Sequence, residues 1–419
     1  GQRCMLREVR RREVGMAGPL TGVRVIDMTT MVSGPLTAMV LADQGADVVK
    51  VEAPKGGDHA RHVASRRGGF SASFLNNNRN KRSVALDIKS EGGRAACLRL
   101  IEGADVVVQN FRPGVVDRLG LGYGAACAVN EAIIYCSITG FGDTGPYAHK
   151  PVFDPLIQSL SGLTTVQAGS DRERPRLVRT ILPDKLTGFQ ASQAICAALF
   201  ARERDGRGQH IQLSMLDTVV SFLWSSDMSA HTFIGDEPAE ETAQSFIDLI
   251  YETADGHISV AAFRRIDWER LADACDRPEW KTDSRFLSAE GLEQHKPERL
   301  ELTQEALRTR ATDDWIERLE AHDVPCAPVL TRREMIRHPQ IAANALVIET
   351  EHPEAGPIRQ TRPAPRFLGT PVEHRRGAPV LGAHTREVLS EIGYSGEEIE
   401  RLLAEGAAAM PHHDREAVE

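Results

Sequence analysis

The fold is decided by residues 22–52, which read GVRVIDMTTMVSGPLTAMVLADQGADVVKVE. Two short apolar runs of strand length, 22–27 and 47–52, flank a glycine-containing loop and a helical pattern over 36–44. The succession of strand, loop, helix and strand is typical of a βαβ unit on a parallel sheet. Such sheets bind ligands at the carboxyl ends of their strands, where the loop 29–35 lies. That loop lacks the GxGxxG pattern, so an ordinary dinucleotide site is not indicated.

The same alternation of strands and helices continues along the chain. Apolar runs predict further strands at 83–88, 105–109, 132–139 and 209–213, and helical patterns cover 91–102, 186–204 and 215–233. We therefore predict an α/β fold whose large domain is doubly wound and Rossmann-like around a parallel sheet.

A chain of 419 residues exceeds what one hydrophobic core usually organises. The composition shifts at 234–244, and a separate succession of strands and helices then runs to about residue 335. We predict four segments: a disordered or non-native leader at 1–15, the first part of the large domain at 16–233, a small inserted α/β domain with its linkers at 234–335, and a return segment that completes the large domain at 336–419. The tail from Gly406 is expected to be loose.

Composition excludes several classes of function. A formal net charge of −9 argues against a general nucleic-acid binder, which needs a basic surface. The seven cysteines stand singly, with no CxxC pair, and predict neither a zinc site nor a disulfide framework. Unpaired cysteines are typical of a reducing cytosol, so a cytoplasmic location is expected. No window reaches the 18 or more apolar residues of a membrane span.

One carboxylate precedes a long helical pattern in residues 174–188, which read RPRLVRTILPDKLTG. Asp184 would lie at the start of that helix, where the partial positive charge of the helix end keeps a carboxylate ionised and fixed. An ionised, fixed carboxylate can act as a nucleophile. Aspartate is also among the commonest N-cap residues, and most such caps have no chemical role. From this stretch alone both interpretations stay open.

Two polar stretches lie next to predicted strands. Residues 74–83 read FLNNNRNKRS, and residues 110–120 read NFRPGVVDRLG. Cations, amides and an aromatic ring at the end of a sheet would suit a nucleotide that carries phosphates and adenine. Each stretch taken alone fits a solvated basic loop better than a nucleotide site.

These motifs together carry a family resemblance. They are PLTGVRVIDMT with SGP at 19–35, GADVVKVE at 45–52, NKRSVALDIK at 80–89, NFRPGVVDRLGLGY at 110–123, SITGFGDTGP at 137–146 and GRGQHIQLSML at 206–216. The chain resembles the class III coenzyme A transferases, the family of formyl-CoA transferase and carnitine CoA-transferase, which also contains alpha-methylacyl-CoA racemase. The resemblance covers nearly all of residues 19–400.

The resemblance implies a reaction and its nucleophile. Asp184 would attack an acyl-CoA thioester to give a mixed anhydride and then an aspartyl-CoA thioester, from which an acceptor acid takes the CoA. The substrates would be an acyl-CoA and a carboxylic acid, with no tightly bound cofactor and no metal. Two subunits would form an interlinked homodimer, with no nucleic-acid or membrane partner.

The resemblance also implies contacts to CoA. By position they fall on Met31, Val32, Leu86, Lys89, Asn110, Phe111, Arg118 and Leu119. These residues would supply apolar walls for adenine and cations for phosphate. One departure is Ala53, where formyl-CoA transferase has an arginine, so part of that phosphate contact is expected to be absent or relocated.

Two alternatives to acyl transfer stay open, a racemase and a catalytically silent CoA-binding protein. A racemase needs acid/base groups on both faces of the alpha carbon, and the racemases of this family have a histidine immediately before an aspartate. Here Phe153 precedes Asp154, and a phenyl ring cannot carry a proton, which disfavours racemase chemistry. His149, four residues upstream of Phe153, is interpreted as a surface histidine.

The acceptor acid is less clearly indicated. Formyl-CoA transferase has a run of glycines in the small domain, whereas this chain has AAFRR at 261–265, so specificity for formate or oxalate is not expected. Arg176 and Arg179 shortly before Asp184, or Arg264, could pair with the second carboxylate of a dicarboxylic acid.

Overall fold

The computed structural model describes residues 18–63, 65–235 and 249–411. The predicted leader at 1–15 and most of the predicted linker at 234–244 lie outside these residues. The described chain separates into two compact units, one formed by the residues up to 235 together with 346–411 and the other by 249–345. The four predicted domain limits stay predictions.

The described residues form the following strands, seven of which belong to one large sheet. They are β1 (Arg24–Asp27), β2 (Asp47–Glu52), β3 (Arg66–Arg67), β4 (Phe70–Ser71), β5 (Lys81–Leu86), β6 (Val106–Gln109), β7 (Ile134–Thr139), β8 (Gln209–Ser214), β9 (Ile250–Glu252), β10 (His257–Val260), β11 (Cys326–Pro328), β12 (Val347–His352), β13 (Gly356–Thr361) and β14 (Ala408–Ala409). The large sheet belongs to the first unit and has the order β14-β5-β2-β1-β6-β7-β8.

The helices of the described residues precede, separate and follow these strands. In the first unit they are α1 (Ser33–Asp43), α2 (Ala72–Asn78), α3 (Glu91–Glu102), α4 (Val115–Arg118), α5 (Tyr123–Val129), α6 (Asp154–Leu160), α7 (Leu163–Ala168), α8 (Leu182–Asp205) and α9 (Met215–Trp224). In the second unit they are α10 (Arg265–Ala274), α11 (Ala289–Gln294), α12 (Lys296–Leu307), α13 (Thr312–Ala321), α14 (Arg332–Met335) and α15 (Pro339–Ala343). The first unit ends with α16 (Thr385–Glu391) and α17 (Gly396–Ala404).

The large sheet is parallel except at one edge, so the predicted parallel sheet is confirmed. From β1 the chain adds β2 and β5 on one side and then β6, β7 and β8 on the other, all in parallel pairs. The order therefore reverses between β1 and β6, and the carboxyl ends of these two strands form the switch point where ligands of such sheets bind. The short β14 pairs with β5 in the antiparallel sense. The expectation that the chain is loose from Gly406 is thus wrong for residues 408–409.

Side chains of each inner strand alternate between two hydrophobic cores. Val25 packs in a core with residues of α1 and α8, whereas the next residue, Ile26, packs in a core with residues of α3, α5, α16 and α17. Val48 and Val49 divide in the same way. Successive side chains of a strand point to opposite faces, so apolar residues at every position predict a sheet covered on both sides.

Helix α8 packs against one face of the sheet and is held near both ends. Its 24 residues span about 36 Å at 1.5 Å per residue. Near its end, Arg202 pairs with Asp105 at 2.9 Å and donates to the Ala132 carbonyl at 3.1 Å. Near its start, a Cβ on Gly188 would lie 2.9 Å from the Ser33 carbonyl oxygen, so glycine permits close contact with α1 there. These contacts fix the first turn of α8 beside the first turn of α1.

The polar stretch at 74–83 does not form a ligand loop. Arg79 is buried and pairs with Asp43 at 2.6 Å. Arg82 pairs with Asp47 at 2.7 Å and with Glu391 at 2.7 Å. Both interpretations of this stretch, a nucleotide site and a solvated loop, are therefore wrong for these side chains, because ion pairs bury them at the amino end of β5.

The second unit has its own core. A three-stranded antiparallel sheet, in the order β11-β10-β9, packs with helices α10 to α13. Trp268 and Trp280 stack at its centre with ring centroids 4.8 Å apart. None of the helices in the described part of either unit combines the length and apolarity needed to cross a membrane.

Candidate active site

The loop after β1 lies at the switch point and has a constrained backbone. Met31 adopts a positive φ of 71°, a conformation that costs a non-glycine residue roughly 1–3 kcal/mol and that surrounding contacts must maintain. The Asp58 carboxylate accepts the Met31 N–H at 2.9 Å, and the Lys50 ammonium donates to the Thr29 carbonyl at 2.7 Å. Two buried charged side chains therefore fix the backbone of the loop through hydrogen bonds.

Those charged side chains belong to a buried, ion-paired group. Lys50 lies 3.0 Å from Asp58 and 3.8 Å from Asp27, and Lys81 lies 2.9 Å from Asp27. Burial opposes ionisation of Asp27, but the two lysine charges outweigh it and lower the pKa of this carboxyl. Burial lowers the pKa of Lys81 to about 8, against the opposing attraction of Asp27. Lys81 also donates to the Pro35 carbonyl at 2.8 Å, so this group supports both ends of the loop.

Two of the segments expected to contact CoA are joined by hydrogen bonds. The Asn110 side chain accepts the Thr30 N–H at 3.0 Å and donates to the Thr30 carbonyl at 2.8 Å. The structure therefore brings the loop containing Met31 and Val32 next to Asn110 and Phe111. Phe111 is partly buried against the core, and Val32 is almost fully buried.

The other expected CoA contacts are more dispersed. Lys89 and Arg118 are exposed, and Leu119 packs partly against the core. Leu86 ends β5 at the same edge of the sheet as the loop after β1, but its side chain is 1% exposed. Leu86 as a whole residue is therefore buried, and its side chain supplies no apolar wall.

Asp184 lies in the first turn of α8 rather than at its N-cap. The N-cap is Ile181, whose side chain makes no capping hydrogen bond, and Pro183 occupies the turn without donating an N–H. The expectation that Asp184 caps the helix is therefore wrong by three positions. Its carboxylate, partly exposed, instead meets the first turn of α1, where the backbone and side chain of Ser33 hydrogen-bond to it.

A second carboxylate lies directly beside Asp184. Asp154, at the start of α6, is 4% exposed, and one of its oxygens accepts the backbone N–H of Asp184 at 3.3 Å. Its other oxygen accepts from the Gln158 amide at 2.6 Å. Gln158 is also buried, and it accepts the Val178 N–H at 2.9 Å, which anchors the segment that leads into α8.

The surroundings of Asp184 disfavour its charge. Burial raises the pKa of Asp184 to about 6, the charge of Asp154 adds to the rise, and the hydrogen bonds from Ser33 oppose it. The expectation that the helix start alone keeps the carboxylate ionised is therefore incomplete. The pKa still lies below 7, so the ionised form prevails at neutral pH. The result is a poorly solvated but ionised carboxylate.

Three of the residues expected to select the substrate are close in sequence to Asp154 or Asp184. Phe153, the N-cap of α6, is 69% exposed. Arg176 and Arg179 are exposed, and no carboxylate pairs with either guanidinium among the residues that the structure describes. Arg264 differs, because its guanidinium is paired with Asp267 at 2.7 Å in the second unit.

Sequence interpretation missed several residues of this site. Lys50 had a usable signal, since a lysine inside a strand that is apolar on both faces indicates a buried counterion, but the partner could not be named. Gln158 follows Asp154 by four residues on one helix, a spacing that brings side chains together. Ser33 lies within the SGP motif, but its contact with Asp184 joins residues 151 positions apart and left no local signal.

The site can perform nucleophilic chemistry at a carboxylate. Asp184 is ionised at neutral pH, is incompletely solvated, and faces the amide and hydroxyl of Ser33, which could also stabilise negative charge on a reacting carbonyl oxygen. Within residues 18–63, 65–235 and 249–411 no group of three or more His, Cys, Asp or Glu side chains is arranged to hold a metal ion.

Comparison with known proteins identifies similar chains. The profile of CoA-transferase family III matches residues 20–385. An acyl-CoA transferase of Fusarium pseudograminearum is 34% identical over 93% of this chain and 88% of its own length. The human succinyl-CoA:glutarate CoA-transferase is 32% identical over 93% of this chain and 89% of its own. A solved CAIB/BAIF family protein from Brucella suis is 30% identical and superposes with a TM-score of 0.79, covering 90% of this chain and 100% of its own.

Proposed function

Because this chain belongs to CoA-transferase family III, we propose that it moves CoA from an acyl-CoA donor to a carboxylic acid with Asp184 as the nucleophile. The observation that supports this assignment is the carboxylate of Asp184, partly buried, ionised at neutral pH and placed beside the switch point of the sheet. A carboxylate is the nucleophile that this chemistry needs, because each intermediate is an acyl derivative of an acid.

The proposed reaction begins with attack on the donor. A carboxylate oxygen of Asp184 attacks the thioester carbonyl carbon, and CoA leaves as thiolate, giving a mixed anhydride. The thiolate then attacks the aspartyl carbonyl, and the donor acid leaves as its carboxylate, giving an aspartyl-CoA thioester. Ser33 is placed to donate to oxygens that become negative in these steps.

The acceptor reverses the two exchanges. Its carboxylate attacks the aspartyl-CoA thioester and releases CoA thiolate, giving a second mixed anhydride. The thiolate attacks the acceptor's carbonyl carbon, which forms the new acyl-CoA and returns Asp184 as a carboxylate. Every step exchanges one acyl bond for another, so the scheme needs neither a metal nor a tightly bound redox cofactor.

CoA would lie along the carboxyl edge of the sheet. The loop containing Met31 and Val32 and the turn at Asn110 and Phe111 are joined there and offer apolar surface for adenine. Exposed cations at Lys89 and Arg118 are available to phosphates, the partly buried Leu119 adds apolar surface, and the buried Leu86 is assigned by position alone. All eight contacts remain part of the proposal.

A dicarboxylic acid is the proposed acceptor. Arg176 and Arg179 precede Asp184 closely in the chain and carry guanidinium groups without carboxylate partners among the described residues. A second carboxylate on the substrate would pair with such a group. The similar human protein is named for succinyl-CoA and glutarate, which are derivatives of dicarboxylic acids. Arg264 is the weaker candidate because Asp267 already pairs with it.

We further propose a cytoplasmic, interlinked homodimer. The first unit exposes several large apolar side chains that a partner subunit would cover, among them Phe153, Phe189, Phe200, Phe222, Trp224 and Leu368. The cysteines of the described residues are free, which suits a reducing compartment. Light scattering on the purified protein tests the dimer.

Trapping the acyl-enzyme tests the proposed function. The protein is incubated with acetyl-CoA or succinyl-CoA and then with hydroxylamine, and the masses of its peptides are measured by mass spectrometry. A hydroxamate on Asp184 that is absent from Asp184→Asn supports the transferase. Solvent deuterium entering the alpha carbon of 2-methylacyl-CoA would instead support a racemase, for which Phe153 leaves the second acid/base position without a titratable group. CoA binding with neither signal would indicate a catalytically silent protein.

A further inference from the structure

A row of hydrogen-bonded side chains crosses three neighbouring strands towards the turn at Asn110 and Phe111. His210 on β8 lies 2.9 Å from the hydroxyl of Ser137 on β7, through its Nε2 atom. The amide nitrogen of Gln109, the last residue of β6, donates to the same hydroxyl at 2.8 Å. The amide oxygen of Gln109 accepts the backbone N–H of Phe111 at 2.8 Å. Gln109 and Ser137 are 4% and 5% exposed, so water does not readily replace these partners.

The chemistry of the groups fixes the direction of every bond in the row. A backbone N–H can only donate, so the Gln109 oxygen must face Phe111 and its NH₂ must face Ser137. The Ser137 oxygen therefore accepts from Gln109, which leaves its own proton to donate. Among the residues that the structure describes, Nε2 of His210 lies in position to accept that proton. The row thus requires a neutral His210 that carries its proton on Nδ1.

We propose that His210, Ser137 and Gln109 are positioning residues that hold the Asn110–Phe111 turn, and through Asn110 the loop after β1, in the conformation that binds CoA. The connection continues because Asn110 makes two hydrogen bonds to the backbone of Thr30, next to Met31. The inference rests on the proposed function only in taking CoA as the ligand. None of the three residues touches the reacting atoms.

The surroundings of His210 keep it in the required state. Its ring stacks on Tyr123, with centroids 4.7 Å apart, and meets the edge of Tyr135 at 5.5 Å. Burial lowers the pKa of His210, and the carboxylates of Asp143 and Asp117 oppose this. His210 is therefore neutral at pH values above the ordinary histidine pKa of about 6.5. The neutral form is lost only at a pH lower than that value. Protonation would place a donor at Nε2 and leave the Ser137 proton without its acceptor.

Hydrogen–deuterium exchange tests the row without any ligand. His210→Phe keeps the aromatic stack but removes the acceptor, Ser137→Ala removes the central hydroxyl, and His210→Gln restores a carbonyl acceptor that does not titrate. Exchange in residues 110–119 should quicken roughly three- to tenfold in the first two variants and return to near the wild-type rate in His210→Gln. His257→Phe, an exposed histidine on β10, is the matched control. Equal exchange in all variants would overturn the proposal.

Calorimetry with free CoA then separates positioning from chemistry. The two disruptive variants should raise the Kd for CoA roughly three- to tenfold with little change in kcat, whereas His210→Gln should bind as wild type. Wild-type affinity should weaken as the pH falls and His210 becomes protonated, and affinity of His210→Gln should not weaken with it. Unchanged affinity in folded His210→Phe contradicts the inference. A wild type that binds CoA without transferring it contradicts the proposed function and leaves this inference standing.

Discussion

Two aspartates near the carboxyl edge of the sheet have opposite electrostatic surroundings. Asp27 is fully buried between Lys50 and Lys81, and their charges lower its pKa. Among the described residues no lysine or arginine forms an ion pair with Asp184. Burial and the neighbouring carboxylate of Asp154 raise the pKa of Asp184 to about 6. The ionised form of Asp27 is therefore stabilised, whereas the ionised form of Asp184 is not and stays reactive as a nucleophile.

The difference shows how one sheet edge serves stability and chemistry together. The ion pairs around Asp27 fix the loop after β1 by holding its backbone, and that loop presents Ser33 to Asp184. Ion pairing removes the reactivity of a carboxylate, so the nucleophile must lie outside the paired group. We infer that Asp27 is structural and Asp184 catalytic although both are conspicuous buried acids.

Removing the Asp184 charge gives the largest expected effect. Asp184→Asn should lower kcat for acyl transfer at least about a thousandfold, because an amide cannot form the anhydride. The melting temperature should stay the same or rise, since the substitution removes a charge that Asp154 repels. Steady-state assays and thermal unfolding measure the two effects. Transfer at the wild-type rate would remove Asp184 from the mechanism.

Removing the Asp27 charge should affect stability instead. Asp27→Asn leaves Lys81 buried without its carboxylate partner and should lower the free energy of unfolding by about 3–5 kcal/mol. Urea unfolding measures the loss. Asp205→Asn, an exposed change at the end of α8, should stay within about 0.5 kcal/mol. Equal stability of the two variants would show that the buried pair contributes nothing.

The pH dependence should distinguish the contribution of Asp154. Ionised Asp184 is the active form, so kcat/KM for acyl-CoA should fall as the pH falls through about 6, with half the activity remaining there. Asp154→Asn removes a like charge and should move this limb to lower pH. A pH profile of both proteins, with Asp205→Asn as an exposed control, measures the shift. An unmoved limb in Asp154→Asn would assign the raised pKa to burial alone.

The smallest expected effect concerns the acceptor. Arg179→Ala or Arg176→Ala should raise the KM for a dicarboxylic acceptor roughly tenfold, the loss expected for one charge-assisted hydrogen bond, and should leave the KM for acyl-CoA unchanged. Arg174→Ala, an exposed arginine of the same segment, serves as the matched control. An acceptor KM that none of the three changes would discard the arginines as specificity residues.

Apolar runs and helical patterns predicted the elements of the large sheet because such local patterns largely determine where strands and helices form. Strand β2 and helix α3 begin and end where apolar runs and helical patterns predicted, at 47–52 and 91–102. Helix α1 begins three residues before the predicted 36, because Ser33 and Gly34 pack into the core and enter the helix despite weak intrinsic preference. The start of α8 at Leu182 likewise precedes the predicted 186.

Tertiary pairing could not be predicted in the same way. The stretches 74–83 and 110–120 both combine arginine with asparagine, yet the arginines of the first are buried by Asp43 and Asp47, which lie more than thirty positions earlier. The state of Asp184 also depends on Asp154, thirty positions away. The resemblance to a family predicts that Asp184 is the nucleophile, and the fold indicates why its pKa is raised.

Isotope transfer into Asp184 tests the central claim most directly. In the proposed reaction, one oxygen of the acceptor carboxylate stays on Asp184 when CoA takes the acyl group. After a single turnover with an acceptor labelled with oxygen-18 in its carboxylate, the peptide containing Asp184 should be heavier by one labelled oxygen, and no other carboxylate should gain label. Product formation with an unlabelled Asp184 would contradict the account.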